Sequence, residues 1–476
     1  MQNETEKTDL PGGASGRLGT EPVGKLLLSF SIPAITGMVL NALYNVVDRI
    51  FVGRGVGEIA LGGLSLAAPL MTITMSFAML FGIGAANMIS MRLGQRLKTD
   101  AQRALSHGFW LLIASSAVII AVEALLFDVI FSLLGAQEGS LALEYARRYY
   151  RIILGGSTFF MISFGLSHCA RAQGFPMISM AGMIIGAVTN TILDPLFIFV
   201  FKWNVEGAAW ATLISWVLSS AFVFYFCAGR KAEIRLRFRK PLIVKPSFDI
   251  IKNITAFGSA QFLLQAAMAF VQLLFNYSMG WYGAAALGTA RGGDIAQSSM
   301  NIVQTILMLI LMPVFGINQG AQPVLGFNYG AKRFDRVKKA FRDASLAATA
   351  ICVLGFLAVM AFPDSLTRLF APSGSRELLR ITPWALRAVC ITLPLNGFSI
   401  VASNMFVVTG RPKTSILLSL TRQVIALIPL MIVFGRVWGL YGVIVSMPIS
   451  DAFAFALTGV LVGLEIKKMA AYERAV

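Results

Sequence analysis

The chain has 476 residues, of which 57% are hydrophobic and only 13% charged, where a soluble protein would carry roughly 25% charged residues. With a mean hydropathy of +0.73, that balance excludes a soluble globular enzyme or binding domain. The net charge of +17 would point to nucleic acid in a soluble protein, but here its meaning depends on where the basic residues lie.

Apolar runs recur from Lys25 to Glu465. In lipid the backbone N–H and C=O groups have no partners, so such runs must be helices or strands of a closed barrel. Alternation over about ten residues, the barrel signature, is absent. Runs such as 346–362 are uncharged throughout and just long enough to span as helices. The first 24 residues are polar and Gly-rich, with no apolar stretch of a signal peptide, and read as a cytosolic tail.

In chain order the expected spans are 25–51, 59–91, 104–134, 143–171, 175–201, 205–228, 250–281, 285–326, 337–362, 378–408, 413–435 and 440–464. The reading is an all-α membrane protein of twelve transmembrane helices. Its organisation is a tail over 1–24, a six-helix lobe over 25–228, a basic linker over 229–249, a second six-helix lobe over 250–465, and a tail over 466–476.

The basic residues cluster in alternate loops. Arg92, Arg96, Lys98 and Arg103 follow the second span, and Arg230, Lys231, Arg235, Arg237 and Arg239 follow the sixth. Lys332, Arg333, Arg336, Lys338 and Lys339 follow the eighth, and Lys467 and Lys468 the twelfth. By the positive-inside rule both termini and these loops are cytoplasmic, in the inner (plasma) membrane of a cell. The charge is topogenic, and no nucleic-acid partner is expected. Arg147, Arg148 and Arg151, near the outer start of the fourth span, fit this pattern less well.

Cys169, Cys227, Cys352 and Cys390 each lie inside an apolar segment and read as packing residues, with neither disulfide nor zinc spacing. The two histidines, His107 and His168, are too few for a metal cluster. No phosphate-cradling loop or nucleophile–base pair is visible, which argues against a membrane enzyme.

An internal repeat is present. Gly84-Ala85 answers Gly320-Ala321 and Gly94 answers Gly330, both at an offset of 236 (320 − 84). The same offset takes Arg151 to Arg387 and Gly174-Phe175-Pro176 to Gly410-Arg411-Pro412, and Glu206-Gly207 answers Tyr441-Gly442 at 235 (442 − 207). Each half has an even number of spans, so both enter from the same side and are parallel repeats.

Three stretches carry a resemblance. The first is Leu43-Tyr44-Asn45-Val46-Val47-Asp48-Arg49-Ile50-Phe51-Val52-Gly53, followed by Ala60-Leu61-Gly62-Gly63. The second is Gln319-Gly320-Ala321-Gln322-Pro323-Val324-Leu325-Gly326-Phe327-Asn328-Tyr329-Gly330-Ala331, and the third is Arg171-Ala172-Gln173-Gly174. The chain resembles the multidrug and toxic compound extrusion (MATE) transporters, most of all their DinF-like branch. The resemblance implies a V-shaped pair of six-helix bundles working by alternating access and exporting organic cations in exchange for Na⁺ or H⁺.

Asp48, Glu123, Asp194, Asp294 and Asp451 fall well within the spans. A charge at the bilayer centre costs at least ~2.5–3.5 kcal/mol on insertion scales, so each asks for an explanation. Asn190 and Asp194 are four apart and share a helix face. Asn41, Asn45 and Asp48 form a polar stripe on the first span. Asp48, Asp194 and Thr212 all lie in the outer half of the first lobe and could meet. In the repeat they are answered by Leu274, Leu430 (or Ile428) and Met447, so the architecture itself does not demand polar groups there. The plainer reading makes Asp48 interfacial and has Asp194 cap a backbone broken by Pro195.

In the resembled family, Asp48, Asn190, Asp194 and Thr212 match the first-lobe cation site, which would hold Na⁺ if the protein is sodium-coupled. Oxygen ligands of this kind suit a hard cation, and the same carboxylates could carry a proton; sequence does not choose. No other cofactor is implied. Glu123 faces either a neighbouring polar helix or the cavity, Asp294 either pairs with Arg291 or meets substrate, and Asp451 pairs with Arg422. The expected partners are lipophilic cationic small molecules and the bilayer, for a monomer. The rival within transport is a flippase of a lipid-linked precursor, which Arg151, Arg387 and Arg422 keep in play.

Overall fold

The computed structural model describes residues 13–133, 140–236, 247–288, 291–372 and 374–475. Residues 237–246 of the expected linker, the first twelve residues of the N-terminal tail and the final residue lie outside these. Among the described residues the fold is helical, with no strand.

A short helix α1 (Gly16–Thr20) precedes α2 (Val23–Gly55), α3 (Glu58–Gly94) and α4 (Lys98–Leu125), which continues into the short α5 (Phe127–Leu133). Then come α6 (Leu141–Ala172), α7 (Pro176–Pro195) and α8 (Asn204–Ala228). The second half runs through α9 (Phe248–Leu287), α10 (Gly292–Gly330), α11 (Phe334–Ala361), α12 (Pro363–Phe370), α13 (Arg376–Cys390), α14 (Leu393–Val408), α15 (Pro412–Leu420) and α16 (Leu427–Ala475).

Among the described residues ten helices are long and apolar enough to cross a membrane, and α13 with α14, bent by 48°, forms an eleventh span. The stretch Pro412–Ala471 has 60 residues, about 90 Å as one helix against a hydrocarbon core of about 30 Å. It is broken at Gly439, whose φ of 60° and ψ of −136° no helix contains. Glycine adopts that backbone readily because it has no Cβ. Two spans on either side of Gly439 complete twelve.

Two π-helical turns interrupt the spans, at Leu196–Val200 and Thr421–Ala426. The first follows Pro195, and there the Phe201 N–H bonds five residues back, to the Leu196 carbonyl, at 3.0 Å.

The chain divides into two compact units. The first comprises residues 1–258 and 320–340, the second 259–319 and 341–476. The core of the first lies among α3, α6 and α8, where Leu70, Tyr150, Ile153, Leu154 and Ala208 are buried together. Within this unit α3 and α10 cross at glycines. A Cβ on Gly94 would overlap the carbonyl oxygen of Phe327, and a Cβ on Gly330 would overlap that of Met91. Met91 and Phe327 are themselves 236 apart (327 − 91), so the contact is reciprocal between repeat-related residues. Small residues let helix backbones approach this closely in membranes.

Candidate functional site

In the first unit α2 supplies Asp48, α7 supplies Asn190 and Asp194, and α8 supplies Thr212. Asp48 is seven residues from Gly55, Asp194 six from Val200, and Thr212 eight from Asn204. At a rise of ~1.5 Å per residue all three lie about 10 Å from the same ends of their spans.

The groups touch. The Asn190 Nδ2 donates to Asp194 Oδ1 and to Thr212 Oγ1, both at 3.3 Å. The carboxyls of Asp48 and Asp194 are in side-chain contact. Asn190, Asp194 and Thr212 are buried, and Asp48 is half-buried. Tyr149 of α6, also buried, bonds Thr212 through its hydroxyl. Sequence reasoning missed Tyr149, because a tyrosine in a spanning helix is unremarkable in composition.

Three acceptors in this cluster have no donor: Asp48 Oδ1, Asn190 Oδ1 and Asp194 Oδ2 are all buried without a hydrogen-bond partner. A buried unsatisfied polar atom costs about 1–3 kcal/mol, more if charged. Two adjoining carboxylates also repel unless a proton or cation lies between them. Converging oxygens of this type are the ligands a hard cation takes. The side chain of Asp194 is not a helix cap: it accepts from Asn190, and no backbone donor reaches it among the described residues.

The other candidates separate. Asn41 is exposed, so the polar stripe of α2 is not buried as a whole, and the Asn45 side chain lies outside the described residues. Glu123 is buried and accepts the Tyr150 hydroxyl at 2.5 Å, while its Oε1 has no donor. Tyr149 and Tyr150 are neighbours on α6 and point about 100° apart, so Tyr149 meets Thr212 and Tyr150 meets Glu123. Asp294 is exposed in the first turn of α10. It forms no ion pair with Arg291 among the described contacts. Arg291 precedes the helix, and a carboxylate in a first turn is already favoured by the helix dipole.

In the second unit Arg422 Nε meets Asp451 Oδ1 at 2.6 Å. Of the other arginines, Arg151 is exposed with its guanidinium 5.9 Å from the Phe127 ring centre, and Arg387 is exposed. Among the described residues no three His, Cys, Asp or Glu side chains cluster as a metal site.

The motif around Asn328 has a separate task in the first unit. Asn328 is fully buried and donates to the Leu18 carbonyl at 3.0 Å. Arg333 Nη1 reaches the Gly19 carbonyl at 2.6 Å, and Arg336 Nη2 the carbonyls of Leu18 and Glu21. At the other end of α1, Glu233 accepts both the amide and the hydroxyl of Ser15 and pairs with Lys98.

The MatE family model matches residues 33–196 and again 262–433. The chain is 28% identical to the multidrug export protein MepA of Staphylococcus aureus (strain MSSA476) over 441 residues, 93% of each chain. It is 26% identical to MepA of Staphylococcus saprophyticus over the same length, 92% of this chain and 93% of that one. Among solved structures, an outward-facing multidrug resistance MATE family transporter of the MOP superfamily superposes with a TM-score of 0.87 at 26% identity, covering 96% of this chain and 98% of the other. A MOP superfamily transporter from Pyrococcus furiosus gives 0.88 at 25%, covering 97% and 100%. The double match follows the internal repeat, and with twelve spans in two repeat bundles and polar groups buried within them the chain belongs to the MatE family, whose members are transporters rather than enzymes.

Proposed function

We propose that this protein is a secondary active antiporter that exports lipophilic organic cations from the cell in exchange for Na⁺ or H⁺. The coupling ion is carried by Asp48, Asn190, Asp194 and Thr212, with Tyr149 holding Thr212 in place. The observation that carries the reading is the set of three buried oxygens without donors, on Asp48, Asn190 and Asp194. A proton or a Na⁺ supplies what they lack. Asp48, Asp194 and Thr212 answer apolar residues in the repeat, which a purely structural cluster would not explain.

In this reading the protein is a monomer in the plasma membrane, with both termini and the basic loops in the cytosol. Each lobe is a six-helix bundle, over 25–228 and 250–465. Antiport requires ion and substrate to favour opposite conformations, so an ion site buried in one lobe can drive a substrate held elsewhere. The names of the MepA relatives support export of drug-like molecules.

The test is dye export from proteoliposomes under an imposed Na⁺ or proton gradient, for wild type and Asp194→Asn. Export driven by one gradient and absent in the variant supports the reading. Full export by Asp194→Asn against a gradient overturns it.

A further inference from the structure

We propose that the extracytoplasmic end of the second unit holds an anionic phospholipid by its phosphate, with Arg380 and Arg387 as charged donors and Trp384 and Tyr441 as the bed for its glycerol and upper acyl chains. The lipid is a resident of the bilayer, not cargo. This goes beyond the antiporter reading and takes from it only the orientation of the chain.

Arg376, Arg380 and Arg387 all lie on α13 and are exposed. In the proposed orientation this is the end of the bundle where the positive-inside rule least expects arginine. At 100° per residue the three arginines and Trp384 fall within an arc of about 80° on one helix face. Among the described residues the ion pairs of the second unit are those of Arg342, Arg411 and Arg422. The stripe is therefore not neutralised, although Glu377 stands next to Arg376 in sequence.

The other half of the repeat builds the same contact without the excess charge. There Arg148 pairs with Glu144 at 2.5 Å and with Glu206 at 4.0 Å. Glu144 is answered by Arg380 (380 − 144 = 236), Arg148 by Trp384 (384 − 148 = 236) and Glu206 by Tyr441 (441 − 206 = 235). The contact survives with its chemistry changed: Trp384 meets Tyr441 edge to face, ring centres 4.7 Å apart. With Arg151 and Arg387 included, two acids and two arginines in the first half become two arginines and no acid in the second. The fold is satisfied by the neutral set, so the charge has another use.

The aromatic residues fix the depth of the stripe. Tyr441 follows the break at Gly439 between the last two spans, and the exposed Trp438 precedes it. Trp384 touches Tyr441, so these rings share one level, that of the membrane–water interface where tryptophan and tyrosine gather. Arg380 is one turn, about 6 Å, further out, and Arg387 about 4.5 Å further in. The headgroup layer is about 5–8 Å deep, which puts Arg380 among the phosphates, and the long stem of Arg387 lets its guanidinium rise to them. A guanidinium fork suits phosphate oxygens. The choline of a neutral lipid would meet the same arginines, so a headgroup without a cation is preferred.

The experiment places a bimane fluorophore on Val437→Cys, exposed beside the Gly439 turn; the four native cysteines are buried. The full chain is reconstituted in phosphatidylcholine vesicles with a small, equal fraction of phosphatidylglycerol or phosphatidylcholine carrying a doxyl quencher high on one acyl chain. Doxyl-phosphatidylglycerol should quench at least threefold more strongly. Arg380→Gln combined with Arg387→Gln should bring the two lipids level and leave quenching by doxyl-phosphatidylcholine unchanged, which a collapsed fold would not. Equal quenching in the parent overturns the proposal whether or not the variant folds. An excess that survives in the double variant overturns it too, as does one abolished by inorganic phosphate at constant ionic strength, which marks a soluble-anion site. Quenchers occupy both leaflets, so a reversed topology leaves the result unchanged. No ion gradient enters, so failure here and failure of the coupling reading are separate outcomes.

Discussion

The side-chain amide of Asn328 donates to the backbone carbonyl of Leu18 at 3.0 Å, across 310 residues of sequence. With Arg333 and Arg336 it gathers the carbonyls at the C-terminal end of α1, where a helix leaves such groups without partners. Removing one buried donor costs about 1–3 kcal/mol. Asn328→Ala should therefore loosen the N-terminal segment and raise the rate of tryptic cleavage after Arg17 by at least tenfold. An unchanged rate would mean that these bonds do not hold α1 down.

Substrate binding and pumping should separate at the first-unit cluster. Asp194→Asn keeps the volume of the side chain but can neither carry a proton nor balance Na⁺. Gradient-driven export should fall at least a hundredfold while dye binding, read by fluorescence polarisation on the same preparation, changes by less than threefold. Asp48→Asn should behave alike. Loss of binding in step with pumping would place substrate, rather than the ion, on these carboxylates.

Glu123 and Tyr150 make a paired test of stability. Tyr150→Phe deprives the buried Glu123 of the one donor recorded for it, and should destabilise the protein by about 1–3 kcal/mol. Glu123→Gln retains an acceptor for the tyrosine and should cost less. Thermal unfolding in detergent measures both, and an order with Glu123→Gln the worse would show that its charge matters more than its bond.

The crossing of α3 and α10 has no slack, because what faces each glycine is backbone. Gly94→Ala and Gly330→Ala should each cost more than 2 kcal/mol, in the upper range for single substitutions. The double variant should cost less than their sum, since the first methyl already separates the helices. Strict additivity in thermal unfolding would show that the two contacts give way independently.

Orientation can be read from single cysteines. Arg230→Cys, exposed after α8, should react with an impermeant maleimide only in inverted vesicles, and Arg376→Cys, exposed at the start of α13, only in intact cells. The reverse pattern would turn the whole topology over.

Much of the fold was legible because lipid leaves the chain few choices: twelve apolar runs separated by basic or glycine-bearing turns can hardly be anything else. The ends of the spans were less so. The split of the tenth into α13 and α14, and the π turn at Arg422, are slips in backbone bonding that leave no mark in hydropathy. Asp48, Asp194 and Thr212 stood out because they are polar where their repeat partners are not, and Asn190 because it lies one turn from Asp194. Tyr149 did not stand out, since its role is visible only from Thr212. The seat of α1 was invisible for another reason: Asn328 and the arginines bind main-chain carbonyls, which every residue has.

The reciprocal crossing of Gly94 on Phe327 and Gly330 on Met91 has a bearing on origins. Each half offers the other one glycine and one carbonyl, at corresponding positions, as the two partners of an isologous dimer do. Nothing in such a contact depends on the halves being joined. Two copies of a single six-helix chain could have met through it before fusion, and the covalent linker then had only to keep together surfaces that already matched. Divergence could afterwards proceed elsewhere, giving one half its carboxylates and the other its Arg422, while this crossing stayed bound to glycine on both sides.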